Sequence, residues 1–190
     1  MPSPVAHSII SLALSPQDSE ERGWIKRAFF WIILGNFADL DFIPGILMGD
    51  PGRFHHGPTH SILFALVLTG VARWLYPVLF KHSKAPLRAF LMVTLSHLFL
   101  DAMTLDTVAP YGLPLFWPFN STGYRFPFWI FLNMNRGMRL HILFSWHNFL
   151  ALCLEIALTF PVLGWALYKR RGGKVPGRVP RAIRSGTHGE

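Results

Sequence analysis

Ionisable side chains interrupt the apolar stretches of this sequence at His7, Asp39, Asp41, His97 and Asp101. Such groups are expensive at membrane depth, so each is expected to bind an ion, relay a proton or pair with another. His97 and Asp101 stand four residues apart and share one face of a helix, the spacing of helical metal-ligand pairs. Asp39 and Asp41 are two apart and diverge on a regular helix. Pro44-Gly45 follows closely, however, and Ile43, preceding proline, is biased away from helix. An unwound turn there aims both carboxylates inward. His55, His56 and His60 lie in and just beyond the next loop, with Gly57-Pro58 making a turn and Thr59 placed to cap the following helix. All three can fold over the same site. Imidazole with carboxylate and no thiolate suits Zn²⁺ first and Mn²⁺ or Fe²⁺ next. The donors outnumber those of one tetrahedral zinc, which favours two or more ions.

The elements that must position these groups are membrane helices. Only 15% of the 190 residues are charged and 51% are hydrophobic, against about 25% charged in soluble domains. Mean hydropathy is +0.33. Disorder, coiled coil and collagen are excluded. Four segments, 28–47, 60–80, 86–105 and 141–168, reach the roughly 20 residues that a bilayer core requires. A shorter apolar piece, 4–15, has Ser3 as N-cap and Pro4 at the first helical position. It lacks a basic start and runs into acidic residues, so it is not read as a signal peptide. At about 1.5 Å per residue it crosses half the membrane. The expected fold is all-α: a polytopic transmembrane helical bundle of four full spans plus a half-length N-terminal helix. One unit covers 1–168, and the Gly-, Arg- and Lys-rich 169–190 reads as a disordered tail. Cys153 is the single cysteine, which excludes an internal disulfide and a cysteine-based zinc site.

Net charge is +8, but the basic residues flank apolar runs rather than forming a nucleic-acid stripe, and no nucleic-acid partner is expected. Arg22, Lys26, Arg27, Lys81, Lys84, Arg88 and seven basic residues in 169–184 fall on one side, thirteen in all; Arg53, Arg125, Arg136 and Arg139 fall on the other. Arg73 can snorkel from within a span. The richer side is expected to be cytoplasmic, with the C-terminus inside and loops 48–59 and 106–140 outside. Counted from the cytoplasmic edge, His7, Asp39, His97 and Asp101 then lie at similar depths of about 12–20 Å. Groups from three helices can therefore form one cluster near the midplane or in the outer half.

His7, Ala-Asp-Leu-Asp at 38–41, His-His-Gly-Pro-Thr-His-Ser at 55–61, Ser-His-Leu-Phe-Leu-Asp at 96–101 and Tyr-Gly-Leu-Pro-Leu-Phe-Trp-Pro at 111–118 together resemble the small membrane-bound metal-dependent hydrolases of bacteria and archaea. The resemblance covers residues 5–120 in order. It implies a metal-binding set of His7, Asp39, Asp41, His55, His60, His97 and Asp101. The family pattern has Pro-Asp-x-Asp and His-Arg-Gly-x-Thr-His-Ser; this chain has Ala38 for the proline and His56 for the arginine, a position that implies substrate contact or positioning. A more distant similarity links the His- and Asp-rich helices to zinc-dependent phospholipases C.

The remaining candidates are weaker. Glu155 lies near the depth of Asp101 and is read equally as a ligand, a general base or a paired structural carboxylate. His141 and His147 begin the last span as interfacial residues, and His82 and His188 are expected in cytoplasmic segments. Arg125, between Tyr124 and Phe126, is a candidate for an anionic head group. The aromatic loop 111–131 reads as an interfacial belt that can admit a lipid-borne substrate sideways. The expected activity is hydrolysis of a phosphoester in a membrane lipid or lipid-linked substrate. Metal ions would activate the water, and Asp39 or Asp41 is favoured over Glu155 to take the proton. The partners are membrane lipids, and no protein partner is inferred. The rival reading is a metal-ion or proton transporter using the same cluster, but no repeated halves appear in the sequence.

Overall fold

A computed structural model describes residues 1–16, 23–81, 83–105, 107, 111–135 and 139–170. The expectations for Arg22, His82, Arg136, His188 and the segment 171–190 lie outside the described residues. Every regular element among those described is helical, with isolated bridges joining Leu113 to Tyr124 and Thr104 to Phe131.

Helix α1 (Pro4–Leu14) starts as its sequence requires. Ser3 is extended, its hydroxyl accepts from the Val5 amide, and Pro4 takes the first turn, where no amide hydrogen is needed. The far end of α1 leaves carbonyls unsatisfied. The Arg170 guanidinium meets them, donating to Leu12 O at 2.8 Å, Ala13 O at 2.7 Å and also to Ser15 O.

Among the described residues, three segments are long and apolar enough to cross a membrane. The first, Trp24–Leu47, joins α2 (Trp24–Asn36), a 3₁₀ turn (Phe37–Asp41) and α3 (Phe42–Leu47); the others are α4 (Ile62–Leu79) and α7 (Trp146–Arg170). Their outward faces carry exposed Phe29, Ile33, Val67, Trp74, Phe160 and Trp165, an apolar surface that suits lipid rather than water.

Four full spans were expected, and the third expected segment holds a shorter helix. Helix α5 (Leu87–Ala102) has 16 residues and is about 24 Å long. More than half of it is buried against its neighbours, including Phe90, Val93, His97 and Asp101. An apolar run reads alike whether its neighbours are lipid tails or other helices. The fourth segment also differs. A short α6 (Leu140–Leu143) is separated from α7 by Phe144 and Ser145, and α7 runs two residues past 168 to include Lys169 and Arg170.

Two contacts set the helices around α5. Trp31 and Leu34 of α2, Ala72 and Tyr76 of α4, and Ala89, Phe90 and Val93 of α5 form one buried cluster. Near it the Thr69 and Thr94 hydroxyls meet at 2.8 Å. On the other flank α1 crosses α2 at Gly35. A Cβ there would lie 1.7 Å from Ser11 Oγ, so only glycine permits the approach that brings His7 inward.

Candidate metal centre

Helix α5 presents His97 and Asp101 on one face, as their spacing requires. The unwinding that serves Asp39 and Asp41 occurs earlier than the sequence suggests. It begins at Phe37, and Pro44 sits inside the first turn of α3, where proline is tolerated. In a 3₁₀ turn residues two apart are separated by about 120°, against about 160° on an α-helix. The change lets both carboxylates reach the same region. A second 3₁₀ turn, Pro58–His60, delivers His60. The hydroxyl that caps α4 belongs to Ser61, accepting from Phe64 N. Thr59, expected as that cap, instead donates to Asp41 Oδ2 at 2.8 Å.

His60, His97, Asp39 and Asp101 converge, and His60 and His97 are almost wholly buried. His60 Nε2 lies 3.3 Å from His97 Nε2, 3.6 Å from Asp39 Oδ1 and 3.4 Å from Asp101 Oδ2. His97 Nε2 lies 3.5 Å from Asp39 Oδ1 and 3.1 Å from Asp101 Oδ2. The carboxylate oxygens nevertheless make no directed hydrogen bond: the donor atoms point past one another toward a shared centre.

The protons explain why. His97 Nδ1 donates to the Gly35 carbonyl at 2.8 Å. His60 Nδ1 lies 3.1 Å from Asp41 Oδ2 and 3.1 Å from Thr59 Oγ1, whose own hydrogen is given to Asp41. When neutral with its hydrogen on Nδ1, each ring turns a bare lone pair at Nε2 inward. Two lone pairs and two carboxylate oxygens facing each other at 3.1–3.6 Å repel unless a proton or a metal ion lies between them. A tetrahedral ion with bonds of about 2.05 Å has donor–donor edges of about 3.3 Å. The residues present fit a divalent cation. The hydrogen bonds at the two Nδ1 atoms are those that orient ligating histidines in metal sites.

The other candidates surround these four. His7 stacks on His97 with ring centroids 4.1 Å apart, and its Nε2 lies 3.5 Å from Asp101 Oδ1. It touches the far oxygen of Asp101 rather than joining the four convergent atoms. Asp41 uses Oδ1 on His55 Nδ1 at 3.1 Å and Oδ2 on His60 and Thr59, so one carboxylate aligns two imidazoles. Asp39, Asp41 and His55 also lie close enough to share an ion, as do His55, His56 and His60. In the loop beyond the spans, burial and the adjacent His55 and His60 push the His56 imidazole down to about 2.

Several expected participants stand apart. Glu155 is buried and accepts from the Ser3 amide at 2.8 Å and from the Ser3 hydroxyl, tying α7 to the start of α1. Among the described residues it joins no candidate metal group. Arg125 is exposed on the aromatic loop, with its guanidinium 5.9 Å from the Tyr111 ring centroid. His147 donates to the Asn133 carbonyl at 2.8 Å, and His141 is exposed. The Gly35 carbonyl and Thr59 escaped sequence reasoning as supports of the site. A glycine inside an apolar run and a threonine beside a histidine carry no signal of whom they will meet.

The sequence profile of the YdjM inner membrane proteins matches residues 5–173. The chain belongs to this family. The YdjM name gives a location, the inner membrane, and no reaction; it agrees with the three helices among the described residues that are long and apolar enough to span. Neither a curated protein nor a solved structure matches the chain.

Proposed function

We propose that this YdjM-family chain is an integral membrane hydrolase that uses divalent metal, Zn²⁺ first, to cleave a phosphoester of a membrane lipid or lipid-linked substrate. The observation that carries the reading is the convergence of four acceptor atoms, from His60, His97, Asp39 and Asp101, with no directed hydrogen bond to the carboxylates. A divalent cation there would supply a Lewis acid and lower the pKa of a water molecule toward neutrality. Proton acceptance falls to Asp39. Both its oxygens lack hydrogen-bond partners, whereas Asp41 is occupied with His55, His60 and Thr59 and acts by positioning those rings.

Support for a lipid substrate comes from the space beside Asp39. A cavity of about 520 Å³ is lined by Pro4, Phe42, Ile46, Met134 and Leu143, with Asp39 as its one carboxylate. That size lies within the range of small-molecule sites. An apolar lining suits a hydrocarbon chain, and Asp39 brings the metal centre to its wall. In this reading the aromatic loop faces the outer leaflet, the C-terminus is cytoplasmic, and Arg125 meets an anionic head group at the membrane surface.

The test is reconstitution in liposomes containing labelled phospholipid and lipid-linked phosphate, following head-group release and divalent-ion flux together. Metal-dependent release, abolished by Asp39→Ala and unaccompanied by flux, supports the hydrolase. Sustained flux abolished by Asp39→Ala, with no cleavage, overturns it in favour of transport.

A further inference from the structure

His56 is placed by an uncommon backbone. Its φ is +61°, a region that residues other than glycine rarely adopt and that is held only by surrounding structure. The ring so placed lies 4.1 Å from the His55 ring and 5.2 Å from the His60 ring, centroid to centroid. Its Nε2 is buried and has no hydrogen-bond partner, although buried polar nitrogens are nearly always satisfied. His55 is turned to match. Phe42 stacks on its ring at 4.0 Å, and Asp41 takes its Nδ1, which directs Nε2 the other way. The ligand atoms of His55, His56 and His60 all lie within 4.8 Å of one another, as do those of Asp39, Asp41 and His55. His60 Nε2 already faces the four-donor centre, and one imidazole nitrogen cannot serve two ions.

We propose that His56 is a metal ligand, holding a second divalent cation together with its neighbour His55. This replaces the substrate contact expected of position 56 and gives the centre a second position made from the loop between α3 and α4. It rests on the cation reading of the site and not on the hydrolytic reaction.

The experiment is metal counting in the purified full-length protein loaded with Zn²⁺ and freed of loose ions, wild type beside His56→Ala. Two ions per chain falling to one is the expected result. Two ions retained by His56→Ala, or a wild type that holds only one, overturns the role of His56 while leaving the four-donor centre standing. A wild type that binds none overturns both. If His56→Ala loses both ions, His56→Cys loaded with Co²⁺ decides. A thiolate-to-cobalt absorption band absent from the wild type, which retains Cys153, places side chain 56 on the ion. A Co²⁺-loaded cysteine variant without that band rejects the assignment.

Discussion

His60 and His97 face each other through their Nε2 atoms at 3.3 Å, while each commits its Nδ1 hydrogen elsewhere, to Asp41 and to the Gly35 carbonyl. Removing the support of one ring tests whether that orientation matters. Asp41→Asn keeps the volume but loses the charge that fixes the Nδ1 hydrogen. Loss of such an outer partner typically weakens metal affinity about 10–100-fold. Competition with a chromophoric chelator is expected to show that drop with the helical circular-dichroism signal unchanged. Unaltered affinity would mean that Asp41 does not orient the rings.

Gly35 brings α1 against α2, and the wall it meets is Ser11. Gly35→Ala is expected to destabilise by about 1–3 kcal/mol, as overpacking does, and to weaken metal binding because His7 and the Gly35 carbonyl move with the helices. Ser11→Gly removes the obstructing hydroxyl and should restore most of both losses in the double variant. Equal losses in single and double variants, followed by thermal unfolding and chelator competition, would place the fault elsewhere.

Acid should release the metal. Histidine ligates only when neutral, and its ordinary pKa is about 6.5, so protons compete with the cation and binding liberates protons. Metal-dependent stabilisation is therefore expected to be larger at pH 8 than at pH 5. The check is the shift in melting temperature caused by Zn²⁺ at pH 8 and at pH 5. A shift at pH 5 as large as at pH 8 would argue against imidazole ligands.

The excess of Lys and Arg on one side of the spans predicts that this side, with the C-terminus, is cytoplasmic. A reporter active only in the cytoplasm should work when fused after Lys169 and fail when inserted near Gly49; a reporter active only outside should do the reverse. The opposite pattern would move access to the site to the cytoplasmic face.

Local chemistry was legible in the sequence and assembly less so. The cap at Ser3-Pro4, the shared face of His97 and Asp101, and the common depth of His7, Asp39, His97 and Asp101 follow from helix geometry, and these groups do meet. The turn at Asp39 was anticipated from Pro44 but begins at Phe37, because the chain unwinds where the carboxylates must reach inward, ahead of the proline. The length and burial of α5 were not legible, because hydropathy does not distinguish a lipid neighbour from a helix neighbour. Glu155 shared the depth of Asp101 but serves Ser3, since depth says nothing about which way around the bundle a side chain faces. The contacts through the Gly35 carbonyl and Thr59 depend on how helices cross, which no local pattern encodes.

The centre itself is tested most directly by the metal content of the protein purified without chelators, measured beside Asp101→Ala and His97→Ala. At least one divalent ion per chain is expected in the wild type, with transition-metal occupancy falling sharply in both variants while their helical content is kept. A folded wild type that holds no divalent metal, and whose melting temperature does not respond to Zn²⁺, Mn²⁺ or Fe²⁺, would contradict the assignment of His60, His97, Asp39 and Asp101 as ligands.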